Sequence, residues 1–93
     1  MLLSKIPLLS AHEIIKILAH FGFKPLRQTG SHIHLVHDEN RRLVTVPNRK
    51  EIALGTLLSI LKQANIEREE FLHYFKQFLI FLSLSLALEN SFS

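Results

Sequence analysis

The run of residues 31–37 constrains this chain more than any other feature, because its side chains alternate between apolar and polar. On an extended strand, Ile33 and Leu35 fall on one face and His32 and His34 on the other. The apolar pair belongs in a core, whereas the two histidines are held out on an open face. The chain therefore needs a sheet that buries only one of its faces.

Two further strands are predicted around this run. Residues 24–29 form the first, with Pro25 tolerated because an edge strand need not donate every N–H. Gly30 separates it from the run and allows a positive φ or the close approach of a backbone or a phosphate. The polar residues 38–42 make a hairpin loop, and a β-branched third strand follows until Pro47 stops it.

Helices are predicted on either side of these strands. Ser10 and Glu13 have the spacing of a capping box, and Gly22 ends the first helix. Thr56 is the predicted N-cap of a second helix that Asn65 terminates, and a third helix follows with acidic residues in its first turn. The predicted fold class is α+β, in the order α-β-β-β-α with an additional C-terminal helix and a three-stranded antiparallel sheet.

The amino-acid composition indicates which classes of protein this chain can belong to. Ninety-three residues, 47% of them hydrophobic, suffice for one domain with a core and argue against disorder. The chain has no cysteine, which excludes disulfides and cysteine-based metal sites. Its N-terminus lacks the pattern of a signal peptide, so we expect a cytoplasmic protein.

The charge is distributed unevenly. The net charge is +3, but residues 24–50 alone carry an excess of +4 on the segment that holds the histidines. The basic residues there are Lys24, Arg27, Arg41, Arg42, Arg49 and Lys50, against Asp38 and Glu39. Such an excess favours nucleic acid as a partner, although strand edges that are merely solvated would carry the same charges.

Residues 78–88 are almost wholly apolar, yet span only about half the length that a bilayer requires. We interpret this stretch as a helix that mediates oligomerisation or covers the core. A membrane-associating tail and an unordered extension are the alternatives, and no stable membrane insertion is expected.

Four blocks of the chain, in matching order and spacing, resemble the HicA (YcfA-like) mRNA interferase toxins. They are residues 18–23, Arg27-Gln28-Thr29-Gly30-Ser31-His32, Val44-Thr45-Val46-Pro47 and residues 55–64. The resemblance covers about residues 4–75, which divides the chain into a HicA-like RNase toxin domain, 1–75, and an apolar C-terminal extension, 76–93.

The resemblance implies a fold similar to a double-stranded-RNA-binding domain. It also implies a toxin of a type II toxin–antitoxin pair that cleaves mRNA without a metal or cofactor and is neutralised by a HicB-type antitoxin. The family's catalytic histidine falls on His32. Many members carry a second histidine after Val-Thr-Val-Pro, where this chain has Asn48-Arg49.

Metal-free RNA cleavage needs a base for the ribose 2′-OH, and imidazole exchanges protons near neutral pH. We therefore assign that base to His32, as base alone or as both base and acid. Ser31 either hydrogen-bonds a phosphate oxygen or only satisfies the turn. The candidate RNA-binding residues are Lys24, Arg27, Gly30, Ser31, Arg41, Arg42, Arg49, Lys50 and, on the second helix, Lys62.

The other histidines and the function each allow more than one interpretation. His34 is either a partner acid or a half-exposed strand residue. His32, His34 and His37 resemble a loose metal site, but His37 has the wrong parity and no carboxylate accompanies them, so we predict no metal. Besides the ribonuclease toxin, the sequence allows a non-catalytic RNA-binding domain, or an interaction protein that docks a partner through its apolar tail and basic sheet.

Overall fold

The computed structural model describes residues 8–91, and their side chains except at positions 82 and 85–91. The chain forms α1 (Ala11–His20), β1 (Phe23–Thr29), β2 (His32–His37), β3 (Leu43–Pro47), α2 (Leu54–Ala64) and α3 (Arg68–Ser91). The strands make one antiparallel sheet in the order β1-β2-β3. The predicted α+β class with its extra helix is confirmed. Residues 1–7, where we expect no signal peptide, lie outside the described range, as do residues 92–93 of the predicted extension.

The core lies between one face of the sheet and the helices. Leu35 is fully buried and Ile33 nearly so, as the alternation in β2 predicts, whereas His32 is exposed. Helices α1 and α2 pack on this same face. The core residues that they and the neighbouring strands contribute are Ile14, Ile17, Leu18, Phe23, Val44, Val46, Ile60 and Leu61.

The caps of α1 form as predicted. The Ser10 hydroxyl accepts from the Glu13 N–H at 3.1 Å, and the Glu13 carboxylate accepts from the Ser10 N–H at 2.8 Å. Phe21 is the C-cap, and Gly22 follows it with φ +94°. The helix therefore ends at a residue whose backbone angle favours glycine.

The predicted cap of α2 is wrong. The helix begins at Leu54 with Ala53 as its N-cap and no side-chain hydrogen bond there, so Thr56 lies inside the first turn. The cause is an anchor upstream: Ile52 is buried and its N–H donates to the Leu9 carbonyl at 2.7 Å, which starts the helix early. Asn65 ends α2 in the left-handed region, as predicted.

Strand β3 includes Pro47, which we expected to lie just beyond its end. The Thr45 N–H points away from β2 and donates to the Gln63 side-chain oxygen at 3.0 Å. Because N–H directions alternate along an antiparallel strand, the nitrogen of Pro47 also faces outward and no ladder bond is lost. At the other edge, β1 begins at Phe23, one residue earlier than predicted.

Helix α3 covers the core with its first turns only. Phe71 is buried, and Tyr74, Phe75 and Phe78 pack against the core cluster. The Tyr74 ring also stacks on His20 of α1, with centroids 3.7 Å apart. Beyond Phe78 the described side chains of α3 are exposed. None of the helices within residues 8–91 is both long enough and apolar enough to cross a membrane.

Candidate functional site

The face of the sheet opposite the helices is open, and the strand register arranges its side chains in rows. Residues directly opposite each other in an antiparallel sheet share a face. Each row therefore takes one residue from each strand, with the β2 residue in the middle. The three rows are Thr29–His32–Pro47, Arg27–His34–Thr45 and Lys24–Val36–Leu43.

His32 stands at the first position of the central strand. It pairs with Thr29, so the hairpin loop consists of Gly30 and Ser31 alone. Gly30 has φ +59° at the first loop position, where a type II′ turn needs a positive φ. A β-carbon there would meet nothing within 4 Å, so the backbone angle and not crowding requires the glycine. The imidazole is consequently exposed on a tightly constrained backbone.

The segment after β3 lies beside this turn. The Asn48 N–H donates to the Ser31 carbonyl at 2.7 Å, and the Arg49 carbonyl accepts from the Ala11 N–H at 2.9 Å. Arg49 and the following Lys50, both exposed, therefore belong to the same end of the sheet as His32.

A β-bulge places Lys24 on the open face together with Arg27. The register passes from Pro25–Leu35 to Arg27–His34, which leaves Leu26 without a partner. An uninterrupted strand would place Lys24 and Arg27 on opposite faces, because their spacing is odd. Lys24 is held by an ion pair with Asp38 at 3.1 Å.

Three predicted RNA-binding residues lie far from His32. Arg41 and Arg42 follow the opposite end of β2, which is about 17 Å away along the strand. The Arg42 guanidinium donates to the Gln63 carbonyl at 3.4 Å, next to Lys62 at the end of α2. These three cations form a separate group, whereas Gly30, Ser31, Arg27, Arg49 and Lys50 surround the histidine end.

The other two strand histidines have their own partners. His34 is half-buried, and its Nδ1 lies 3.2 Å from the Thr45 hydroxyl oxygen. His37 packs edge-on against Phe23, and its Nδ1 accepts from two backbone N–H groups of the β2–β3 loop at 3.1 and 3.2 Å. Over the described residues, no three His, Asp or Glu side chains are grouped so that they could hold a metal ion.

Sequence reasoning missed Thr45 and the row that it completes. The sequence did contain a signal for the first two residues of this row. A two-residue loop at Gly30 and Ser31 places Thr29 opposite His32, and two residues further along each strand it places Arg27 opposite His34. The third strand is harder, since its register depends on the length of the 38–42 loop. The bulge at Leu26 has no signal in the sequence.

Comparison with protein families gives a match over most of this architecture. A family described as "HicA toxin of bacterial toxin-antitoxin" matches residues 11–66, which is more than half of the chain. The matched range contains α1, the whole sheet, α2 and the turn before His32. Among curated proteins, none matches the chain.

Proposed function

Because the chain belongs to the HicA family of bacterial toxins, we propose that it is an mRNA endonuclease with His32 as its catalytic base. The family makes it a toxin of a toxin–antitoxin system. The single observation that carries the catalytic assignment is the position of His32, which is exposed at the start of the central strand on the open face. An RNA strand can reach its imidazole without displacing any helix.

The reaction follows from what surrounds His32. The imidazole takes the proton of a ribose 2′-OH, and the oxygen attacks the adjacent phosphorus. The bond to the 5′-oxygen breaks, and that oxygen takes a proton from the protonated His32 or from water. Arg49, at the same end of the sheet, supplies positive charge for the oxygens of the transition state. The products are a 2′,3′-cyclic phosphate and a 5′-OH.

The proposed mechanism can be tested through its nucleophile, the ribose 2′-OH. Purified protein is expected to cut a mixed-sequence RNA and to leave the DNA of the same sequence intact, because DNA has no 2′-OH. Excess EDTA should leave the rate unchanged. Mass spectrometry of the fragments checks for cyclic phosphate ends. Cleavage of DNA at a similar rate, or ends with a 3′-OH and a 5′-phosphate, would contradict the mechanism.

The toxin role implies an antitoxin, and we propose that a HicB-type antitoxin covers the open face. This face carries the cations Lys24 and Arg27 around the histidine rows, which favours an acidic inhibitor surface. It also offers an apolar contact, since Leu43 on β3 is 62% exposed. A complex in which His32 stays accessible would disprove this arrangement.

We propose that α3 joins two copies of the chain, as the apolar extension 76–93 led us to expect. Leu79, Ile80 and Phe81 are consecutive and all exposed, so they cover about 200° of the helix circumference. One core cannot bury side chains that point in such different directions. A second α3 offers the same surface, so one symmetric contact covers both. The division of the chain at residue 75 stays a proposal, because α3 passes through it without a break.

Phe81→Glu is expected to make a dimeric protein monomeric, because Phe81 is 69% exposed and a charge there cannot enter an apolar contact. Lys50→Glu, at an exposed position after β3 and outside α3, is the charge-reversal control and should stay dimeric. Light scattering coupled to size exclusion measures the mass of each. A wild-type protein that is monomeric over the whole accessible concentration range would refute the α3 contact.

A further inference from the structure

The row next to His32 places a cation, an imidazole and a hydroxyl side by side, and the reaction outlined above uses none of them. Arg27 on β1 lies opposite His34 on β2, and Thr45 on β3 lies on the other side of His34. The nine open-face positions include no carboxylate. Over the described residues, the one ion pair joins Lys24 to Asp38, so the Arg27 charge is not neutralised by an acid.

The two-residue turn sets this juxtaposition. From Thr29 opposite His32 the register runs without a shift to Arg27 opposite His34, and the bulge at Leu26 begins only beyond Arg27. The exposed Arg27 therefore stands directly across from the imidazole. An arginine that is not paired with a carboxylate is suited to binding a phosphate group, because two of its N–H groups can donate to two phosphate oxygens at once.

His34 is oriented toward the same space by Thr45. Because the Thr45 N–H points away from β2, His34 and Thr45 form a non-hydrogen-bonded pair, in which side chains approach most closely. Their Nδ1 and hydroxyl oxygen are 3.2 Å apart. When the Thr45 hydroxyl donates to Nδ1 of His34, Nδ1 is the acceptor and the ring hydrogen of the neutral imidazole lies on Nε2. That N–H is then available to a phosphate oxygen beside Arg27.

The spacing of the rows suits a nucleic-acid strand. His34 is two residues from His32 along β2, which is about 7 Å. Successive phosphates of an RNA strand are separated by a similar distance. We propose that Arg27 and His34 bind the phosphate next to the one that is cut, with Thr45 as the positioning residue of His34. This Arg27–His34 subsite rests on the proposed function for its ligand, RNA, and adds a second point of attachment.

Binding is measured on a His32→Ala parent, so that the RNA stays intact. The probe is a fluorescein-labelled, mixed-sequence single-stranded RNA, titrated at several salt concentrations. Arg27→Ala is expected to weaken binding about tenfold and to lower the salt slope by about 0.7, the value for one phosphate contact on a single strand. His34→Gln should weaken binding in the same direction. Lys16→Ala removes one exposed charge from α1 on the other side of the sheet and should change neither quantity.

Two more variants separate a subsite from general charge and from structural damage. Arg27→Lys keeps the charge without the fork, and should recover the salt slope but only part of the affinity. Thr45→Val should weaken binding and Thr45→Ser should restore it, because only the hydroxyl holds His34. All variants should melt within a few degrees of the parent.

The outcomes distinguish this subsite from the cleavage reaction. If Arg27→Ala and His34→Gln bind like the parent with the same salt slope, or if the parent binds no RNA, the subsite is overturned. In the wild-type background Arg27→Ala should raise KM with little change in kcat. A wild-type protein that binds RNA through Arg27 but never cuts it would support the subsite and remove the proposed reaction.

Discussion

His32→Ala is expected to abolish growth arrest when the chain is expressed in a bacterial host without the antitoxin, and to leave total mRNA intact. Removing a general base lowers a rate by about 10²–10⁴-fold, which brings cleavage below the level that limits growth. The same loss should appear in vitro as a fall in kcat. Growth curves and mRNA integrity, followed at equal protein abundance, are the measurements.

The variant should otherwise behave as the wild type. His32 is exposed and forms no part of the core, so the fold and most of the RNA affinity should survive its truncation. His12→Ala is the matched control, because His12 is an exposed histidine on α1, in the helical layer. It should arrest growth like the wild type.

Other outcomes point to other functions. If wild type and His32→Ala arrest growth equally, His32 is not the base. The apolar part of α3 is then the next candidate for the cause of the toxicity. If neither arrests growth, the non-catalytic RNA-binding domain is the better account of this chain. The interaction-protein reading predicts that deletion of residues 78–93 removes activity while His32→Ala does not.

Gly22→Ala should destabilise the protein more than a typical surface substitution. Gly22 has φ +94°, and an added β-carbon would lie 2.6 Å from Nε2 of His37. That ring cannot swing away freely, because its Nδ1 accepts two backbone N–H groups and its edge packs on Phe23. We expect a loss of about 2–4 kcal/mol from backbone strain and broken hydrogen bonds. Thermal denaturation should show it as a melting temperature lower by about 10 °C or more.

A double-mutant cycle separates the two causes. His37→Ala removes the ring, so in that background Gly22→Ala should cost only the strain of its φ, and the two substitutions should be coupled by about 1 kcal/mol or more. Gly55→Ala is the control glycine, since it lies in α2 with nothing within 4 Å of an added β-carbon. It should stabilise the protein by about 0.5–1 kcal/mol. Equal costs at Gly22 with and without His37 would contradict the proposed contact.

Local patterns determined much of the fold. The Ser10–Glu13 capping box, the glycine after α1 and the left-handed Asn65 all lie where their chemistry predicts, because each depends only on neighbours within a helical turn. The alternation in β2 likewise predicts that Ile33 and Leu35 are buried, since a strand has only two faces, although Val36 is buried from the open face as well. Thr56 failed as a cap because a buried residue, Ile52, started the helix upstream of the local signal.

The sequence by itself therefore determined the order of elements, the buried face of the sheet and the exposure of His32. Only the tertiary structure decided which cations accompany that histidine. The bulge at Leu26 moved Lys24 onto the open face beside Arg27, and the hydrogen bond from Asn48 to Ser31 brought the next residue, Arg49, from beyond β3 to the same end as His32. The reason is physical: burial and capping are local choices, whereas register and loop contacts join residues far apart in the chain and are settled only when the strands pair.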